Sequence, residues 1–312
     1  MHVPVLLNEV LDGLNLSPND SCIDGTVGGG GHAGAILQAI SPSGKLIGFD
    51  RDQASLAKAA AALEQFGERF IPLHDSYANI ADHMDVIAAA GPIKGILLDL
   101  GLSSLQLEDR ERGFSFQHAD APLDMRFDQA GAQETAADIL NTRSSEELKK
   151  IFQEYGEVRS SGRLAQAVVK RREEGPFNSV GDLVEVTGKI LRPPRGGRSR
   201  INPATTVFQA LRIAVNDELG QLERFLPEAL ELLEAGGRMA IISFHSLEDR
   251  MVKHWFRLVA TDCICPPEIP ECRCEHKATA EIVTKKPITA TEKEIETNLR
   301  SRSAKLRIIQ KK

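Results

Sequence analysis

No stretch of the sequence is long and apolar enough to cross a bilayer; none reaches the ~18 residues a spanning helix needs. Met1-His2-Val3-Pro4 opens without the basic and apolar regions of a secretory leader. Cysteine is scarce, with five in 312 residues, and four of these crowd between Cys263 and Cys274. That distribution excludes the spaced disulfide framework of small secreted domains. These absences predict a cytoplasmic protein with no membrane partner. Aromatic platforms are few: one tryptophan and two tyrosines leave little for stacking on an extruded base. Trp255, beside Val252 and Phe256, reads as a core residue. Repeats and low-complexity tracts are absent as well. The remaining composition is ordinary for a globular chain. Apolar residues make up 42%, enough for a sizeable core, and the length allows one large domain or two smaller ones.

The net charge of −6 argues weakly against nucleic acid, but the charge is uneven. Ten basic residues lie between Arg159 and Arg200, opposed only by Glu173, Glu174, Asp182 and Glu185. The tail from Arg300 to Lys312 holds six more basic residues and no acid. Local patches, not net charge, set affinity for phosphates.

Asp24-Gly25-Thr26-Val27-Gly28-Gly29-Gly30-Gly31-His32 joins a short apolar run ending at Cys22-Ile23 to a helix-like run from Ala33 to Ile40. Four consecutive glycines let a ligand approach the backbone near a helix N-terminus. Strands are predicted at 21–24, 45–50, 69–75 and 94–99, with an Ala-rich helix from Gln53 to Phe66. Pro72 suits the third strand to an edge or a bulge. This βαβ alternation predicts a doubly wound parallel sheet. The alternation stops from 105 to 212, where helix signals dominate. Ser144-Ser145-Glu146-Glu147 reads as a capping box, and Leu164 and Val168 share a helix face. The α/β pattern returns with a helix from Asp217 to Ala235, ended by Gly236-Gly237. Strands follow at 238–243, around 280–283 and around 304–309. The expected organisation is an α/β domain made of 1–104 and 213–312, with a helical domain of 105–212 inserted.

Asp50 ends the second strand, at the distance from a glycine turn where an acid meets ribose hydroxyls. That pairing serves a nicotinamide dinucleotide and S-adenosylmethionine alike. The turn discriminates better. Gly25, Gly28 and Gly31 are three apart, unlike G-x-G-x-x-G, and Asp24 would repel a pyrophosphate. Acids at strand ends, with Asp99 after the fourth, suit a ligand carrying an amino group, a sulfonium and a ribose. Alternatively, such residues merely cap the following helices, the better reading for Asp75.

Several longer motifs carry a resemblance. They include His2-Val3-Pro4-Val5-Leu6-Leu7, Asp24 to His32 and Leu98-Asp99-Leu100-Gly101-Leu102-Ser103-Ser104. Further along come Arg112 to Phe116, Pro122 to Arg126, Asn202 to Thr205, Phe208 to Arg212, Ile242 to Asp249 and Ser301 to Lys305. In this order they resemble the bacterial small-subunit ribosomal RNA (cytosine-N4)-methyltransferase family, also called MraW. The resemblance implies a Rossmann-like class I S-adenosylmethionine-dependent methyltransferase with an inserted helical, RNA-recognising domain. It implies methyl transfer to the exocyclic N4 of a cytidine in the decoding region of 16S rRNA in the small ribosomal subunit. It also implies that Gly30, Gly31 and His32 contact the methionine end of the cofactor, Asp50 the ribose and Tyr77 the adenine region, with Asp99 and Gln106 completing the site.

An exocyclic cytosine amine is a poor nucleophile, because its lone pair is delocalised into the ring. The enzyme must position it and accept its proton. Many amino-methyltransferases carry Asp/Asn-Pro-Pro-aromatic after the fourth strand; here the segment is Asp99-Leu100-Gly101-Leu102-Ser103. Asp99 is the leading catalytic candidate, with Asp124 and His245 as further ones. Arg126 and the loop residues Arg195, Arg198 and Arg200 are expected to bind RNA, the loop through phosphates. A purely solvated basic loop is the alternative. Cys263, Cys265, Cys272 and Cys274 can form a four-thiolate zinc site, with His276 close by, or stand as free thiols or adventitious disulfides. Methyl transfer needs no metal, and none is expected. The competing functions are a methyltransferase on another substrate and a non-catalytic ribosome assembly factor. The sequence leaves monomer and homodimer equally open.

Overall fold

The computed structural model describes residues 4–191, 204–266, 268 and 271–312. The chain divides into two compact units, Met1–Gly101 with Gln221–Lys312, and Leu102–Gly220. The first begins with α1 (Leu7–Leu14), β1 (Ser21–Asp24), α2 (Gly31–Ala39), β2 (Leu46–Asp50), α3 (Gln53–Ala62), β3 (Phe70–His74), α4 (Met84–Ala90) and β4 (Ile93–Asp99). The second unit holds α5 (Ser104–Glu108), α6 (Ala136–Thr142), α7 (Ser145–Glu154), α8 (Ser161–Glu174), α9 (Val180–Ile190) and α10 (Ala204–Asn216). The chain returns through α11 (Glu218–Leu232) to β5 (Leu233–Ser243), α12 (Ser246–Val259), β6 (Ala280–Ile282), α13 (Glu292–Thr297) and β7 (Lys305–Lys311). Among the described residues no helix is long and apolar enough to cross a membrane.

The seven strands form one sheet in the order β3-β2-β1-β4-β5-β7-β6. β1 to β5 pair in parallel, and β7 runs antiparallel to both β5 and β6. Consecutive residues of the inner strands enter different core clusters. Cys22, Leu46, Leu97 and Ala240 join one; Ile23, Ile47, Leu98 and Ile241 join the other. A strand turns alternate side chains to opposite faces, so a sheet covered on both sides needs apolar residues at every position. Pro72 lies in β3 at the sheet edge, where its missing N–H costs no ladder bond.

The helical unit closes on its own core, which includes Leu148, Phe152, Leu164, Val168, Phe177 and Leu211. Three of its helices start with reciprocal capping boxes: Thr135 with Asp138, Ser144 with Glu147 and Ser179 with Asp182. Each satisfies orphan amides at a helix start. The expected interval of 105–212 ends inside α10, whose Ile213, Val215 and Asn216 are buried.

Two element boundaries differ most from the sequence expectation. α3 ends at Ala62, and a 3₁₀ segment with Gly67 at φ +54° replaces its expected last turn. β5 begins at Leu233 rather than Arg238, because Leu233 already pairs with Ile93. The next pair is Gly95 with Arg238, so Gly236-Gly237 belongs to an irregularity within the strand. Gly48 in β2 packs so closely that a Cβ would lie 2.5 Å from Val27 Cγ2 and 2.7 Å from Phe70 Cε2. Gly48→Ala is therefore expected to lower stability by ~1–3 kcal/mol through overpacking. Urea denaturation checks this; an unchanged midpoint would show that the contact yields freely.

Candidate active site

From β1 the chain steps outward to β2 and β3, then crosses to β4 on the other side of β1. Such a reversal opens a crevice at the carboxyl ends of the two central strands, where open α/β sheets take ligands. Asp24 ends β1 and Asp99 ends β4. Thr26 ties them together. Its N–H donates to Asp24 Oδ1 at 3.0 Å, and its hydroxyl oxygen accepts the Asp99 N–H at 2.7 Å. Asp24 is only 1% exposed. Asp24 Oδ2 and Asp99 Oδ1 are buried with no hydrogen-bond partner among the described residues. An orphaned buried acceptor costs roughly 1–3 kcal/mol or more, so two of them at the switch point mark a place for a ligand's donors.

The same burial changes their acidity. Burial pushes Asp24 up to about 7, opposed by the Thr26 amide and reinforced by Asp50. Asp99 rises to about 8, first through burial and then through the charges of Asp24 and Glu248. A quarter of the Asp99 side chain remains exposed. Asp50 rises to about 6 through burial, although the amides of Asp52 and Gly28 pull it down.

The glycine turn is stapled from below. Gly28 N–H donates to Asp50 Oδ2 and Asp52 N–H to Oδ1, both at 2.8 Å. Asp50 thus holds the turn with one lone pair on each oxygen and keeps the second pair available for hydroxyl donors. Gly30 caps α2 with φ +82°, and a Cβ there would meet Ala59 Cα at 3.3 Å. Only glycine fits that backbone and spacing. His32 is 7% exposed, and its Nε2 lies 2.9 Å from the Val5 carbonyl. A carbonyl only accepts, so Nε2 carries the proton and Nδ1 faces Asp99 Oδ2 at 3.6 Å. The imidazole ring thus lies between the Val5 carbonyl of the N-terminal segment and Asp99. Tyr77 follows β3, next to Gly25, where an added Cβ would come within 3.0 Å of Tyr77 Cβ. Its ring stands edge-on to Phe225, with centroids 5.1 Å apart.

Asp24, Gly30, Gly31, His32, Asp50, Tyr77 and Asp99 all belong to the first unit. The remaining candidates have other engagements. Asp124 and Arg126 face each other in a two-pronged pair, Nε to Oδ1 and Nη2 to Oδ2, both at 2.8 Å. Arg126 also donates to the Gly131 carbonyl at 3.0 Å. Burial raises the Asp124 pKa, but the Arg126 bonds and charge outweigh it and leave it below the ordinary value, unsuited to proton abstraction. His245 caps α12, its Nδ1 accepting the Glu248 N–H at 3.4 Å while Nε2 lies 3.1 Å from Glu248 Oε1. Nδ1 thus serves the cap, while Nε2 is buried beside the Glu248 carboxylate with no hydrogen-bond partner among the described residues. Gln106 is buried in the second unit, where its Oε1 accepts the Ser103 N–H at 3.0 Å. Asp75 pairs locally with Asn79 and His83. Arg195, Arg198 and Arg200 lie outside the described residues.

Two residues of the site were not anticipated. Thr26 bridges Asp24 and Asp99, and no spacing rule marks it. Glu248 is 2% exposed, accepts the amides of Phe244 and His245, and adds its charge to Asp99. Its place three residues after a helix cap was the available signal.

The three raised acids set a pH dependence. Their folded pKa values exceed the unfolded value near 3.8, so the folded state holds these protons more tightly than the unfolded one. Their contribution is most favourable below about pH 4 and is lost as pH rises toward about 8. The lowered acids, such as Asp249 held by Arg307 and Lys305, act only below that window. Ligand-free protein is therefore expected to melt at a lower temperature at pH 8 than at pH 6, with a smaller difference in Asp24→Asn. Thermal melts at constant ionic strength decide it; a melting temperature that climbs from pH 6 to 8 contradicts the assignment.

The geometry fits a cationic, ribose-bearing ligand. An amino group or sulfonium meets buried acceptors at Asp24 and Asp99, and a ribose diol meets the spare lone pairs of Asp50. A pyrophosphate would meet uncompensated acids instead. The similarity to known proteins runs the whole length of the chain. Ribosomal RNA small subunit methyltransferase H of Heliobacterium mobile is 49% identical over 310 residues, covering 99% of this chain and 98% of that protein. The proteins of the same name from Geobacter sp. (strain M21) and Citrifermentans bemidjiense are 50% and 51% identical, with the same coverage. The MraW methylase family pattern matches residues 1–312, and with the acids and glycine turn in place this chain belongs to the MraW methylase family.

Proposed function

We propose that the chain transfers a methyl group from S-adenosylmethionine to the exocyclic N4 of a cytidine in the decoding region of 16S rRNA, acting on the small ribosomal subunit in the cytoplasm. The observation that carries this reading is the pair of unpartnered buried oxygens, Asp24 Oδ2 and Asp99 Oδ1, beside a glycine turn anchored by Asp50. Identity near one half to small-subunit rRNA methyltransferases, over nearly the full length, supports the substrate.

Gly30, Gly31 and His32 would hold the methionine end, Asp50 the ribose and Tyr77 the adenine region; when bound, the cofactor supplies an electrophilic methyl group on a positively charged sulfur. The chain's own task is to place the amine and receive its proton. Placement in well-oriented systems lowers barriers by up to ~7–11 kcal/mol. Asp99 takes the proton. An acid raised to about 8 is a stronger base than an ordinary carboxylate and titrates close to neutral pH. As the N4 lone pair takes up the methyl group that S-adenosylmethionine would supply, the N4 proton would pass to the Asp99 carboxylate. The Arg192–Arg200 loop and the helical unit contact RNA, the loop through phosphate oxygens.

Four measurements test this. Labelled S-adenosylmethionine is offered to small subunits, naked rRNA and protein, followed by nucleoside analysis. N4-methylcytidine in the RNA is expected, and label in protein or in no product overturns the proposal. Asp99→Asn should lower the single-turnover rate by about 10²–10⁴-fold while the chain still binds S-adenosylhomocysteine; a normal rate removes Asp99 from the chemistry. Binding of S-adenosylmethionine, relative to the uncharged-sulfur product, should strengthen from pH 6 to pH 8 as the acids ionise. The triple replacement of Arg195, Arg198 and Arg200 by Ala should weaken RNA binding and flatten its salt dependence by up to about three contacts' worth. An unchanged salt slope counts against the loop.

A further inference from the structure

Between α12 and β6 the chain makes a long excursion, in which the described residues are mostly exposed or half-buried. Ile264, within it, is 50% exposed. Its base is closed by the Thr279 N–H donating to the Val259 carbonyl at 2.9 Å and the Ala278 N–H to Asp262 Oδ1 at 3.2 Å. Above that base stand Cys263, Cys265, Cys272 and Cys274, all with free thiols. Their sulfur atoms all lie within 4.8 Å of one another. Cys272 and Cys274 are 3.6 Å apart, and Cys274 and Cys263 are 3.9 Å apart. A disulfide would require about 2.05 Å. A tetrahedral zinc with Zn–S near 2.3 Å separates its sulfurs by about 3.8 Å.

The backbone around the sulfurs is arranged reciprocally. Ile264, between Cys263 and Cys265, donates its N–H to Cys274 Sγ at 3.4 Å. Arg273, between Cys272 and Cys274, donates its N–H to Cys265 Sγ at 3.4 Å. Each C-x-C turn thus points its central amide at the second sulfur of the other turn. Amide donors aimed at sulfur favour the thiolate form that a metal needs.

We infer that Cys263, Cys265, Cys272 and Cys274 form a closed, structural four-thiolate zinc site. Soft thiolates select zinc over magnesium or calcium. Four protein ligands leave no open position for water or substrate, so the metal orders the excursion and takes no part in methyl transfer. His276 does not join the group: the four sulfurs converge without it, and its Nε2 lies 2.9 Å from the Leu258 carbonyl. An iron–sulfur cluster would hold the cysteine sulfurs further apart than this cluster does. The sequence alone favoured no metal, because C-x-C spacing is tighter than the usual C-x₂-C and the reaction needs none. The convergence of four sulfurs, with an amide reaching each turn from the other, reverses that expectation.

Full-length protein made without a polyhistidine tag is expected to contain about one zinc per chain by mass-spectrometric metal analysis. Cys263→Ser with Cys274→Ser should lose the zinc, whereas Cys22→Ser should keep it. Should the double variant fail to fold, cobalt(II) exchanged into the wild-type protein gives an independent reading. Thiolate-to-cobalt charge-transfer bands with tetrahedral visible bands are expected. Stripping the metal should also speed tryptic cleavage after Arg273 and Lys277 by about tenfold or more, as the excursion loosens. Metal-free fresh protein, iron in place of zinc, zinc retained by the double variant, or cobalt bands without thiolate character would each overturn the assignment.

Discussion

Burial of carboxylates without countercharge is the constraint around which the site is organised. Asp24, Asp50 and Asp99 sit at the carboxyl ends of three neighbouring strands of a sheet covered on both faces. No described lysine or arginine pairs with any of the three. Thr26 and the Gly28 and Asp52 amides satisfy part of the set, and two oxygens stay bare. Burial therefore favours their protonated forms. Ligand recognition, proton affinity and folding stability therefore draw on one electrostatic arrangement.

The glycine turn depends on that arrangement as well. Asp50 anchors Gly28, and the positive φ of Gly30 starts α2 against Ala59. The N-terminal segment then reaches the site through His32, whose ring spans the Val5 carbonyl and Asp99. Asp99 is thus reached from β1 through Thr26, from α2 through His32 and from α12 through the charge of Glu248. A side chain approached from three elements has few orientations open to it.

Elsewhere the chain spends its polar residues on structure. Asp124 and Arg126 satisfy each other across Met125, which adopts φ +60°. His245 and Glu248 form the start of α12. Between α12 and β6 two exposed and two half-buried cysteines bring four sulfurs together.

Much of the fold was legible from pattern alone. Strand positions, the edge placement of β3, the interruption by helices and the Ser144 capping box all follow from local periodicity and turn chemistry. The acids could be picked out because each follows an apolar run, and full-length resemblance to one family supplied the reaction. Long-range pairing was not legible. That Leu233 pairs with Ile93, that Thr26 spans two strand ends, and that Asp124 and His245 are engaged by neighbours rather than open to solvent are tertiary outcomes. The sequence by itself determined which residues are apolar, which turns need glycine and which strands end in an acid, since these depend on near neighbours. Only the tertiary structure decided which acids go without donors and which cysteines meet, because both depend on what distant segments bring to the same few ångströms.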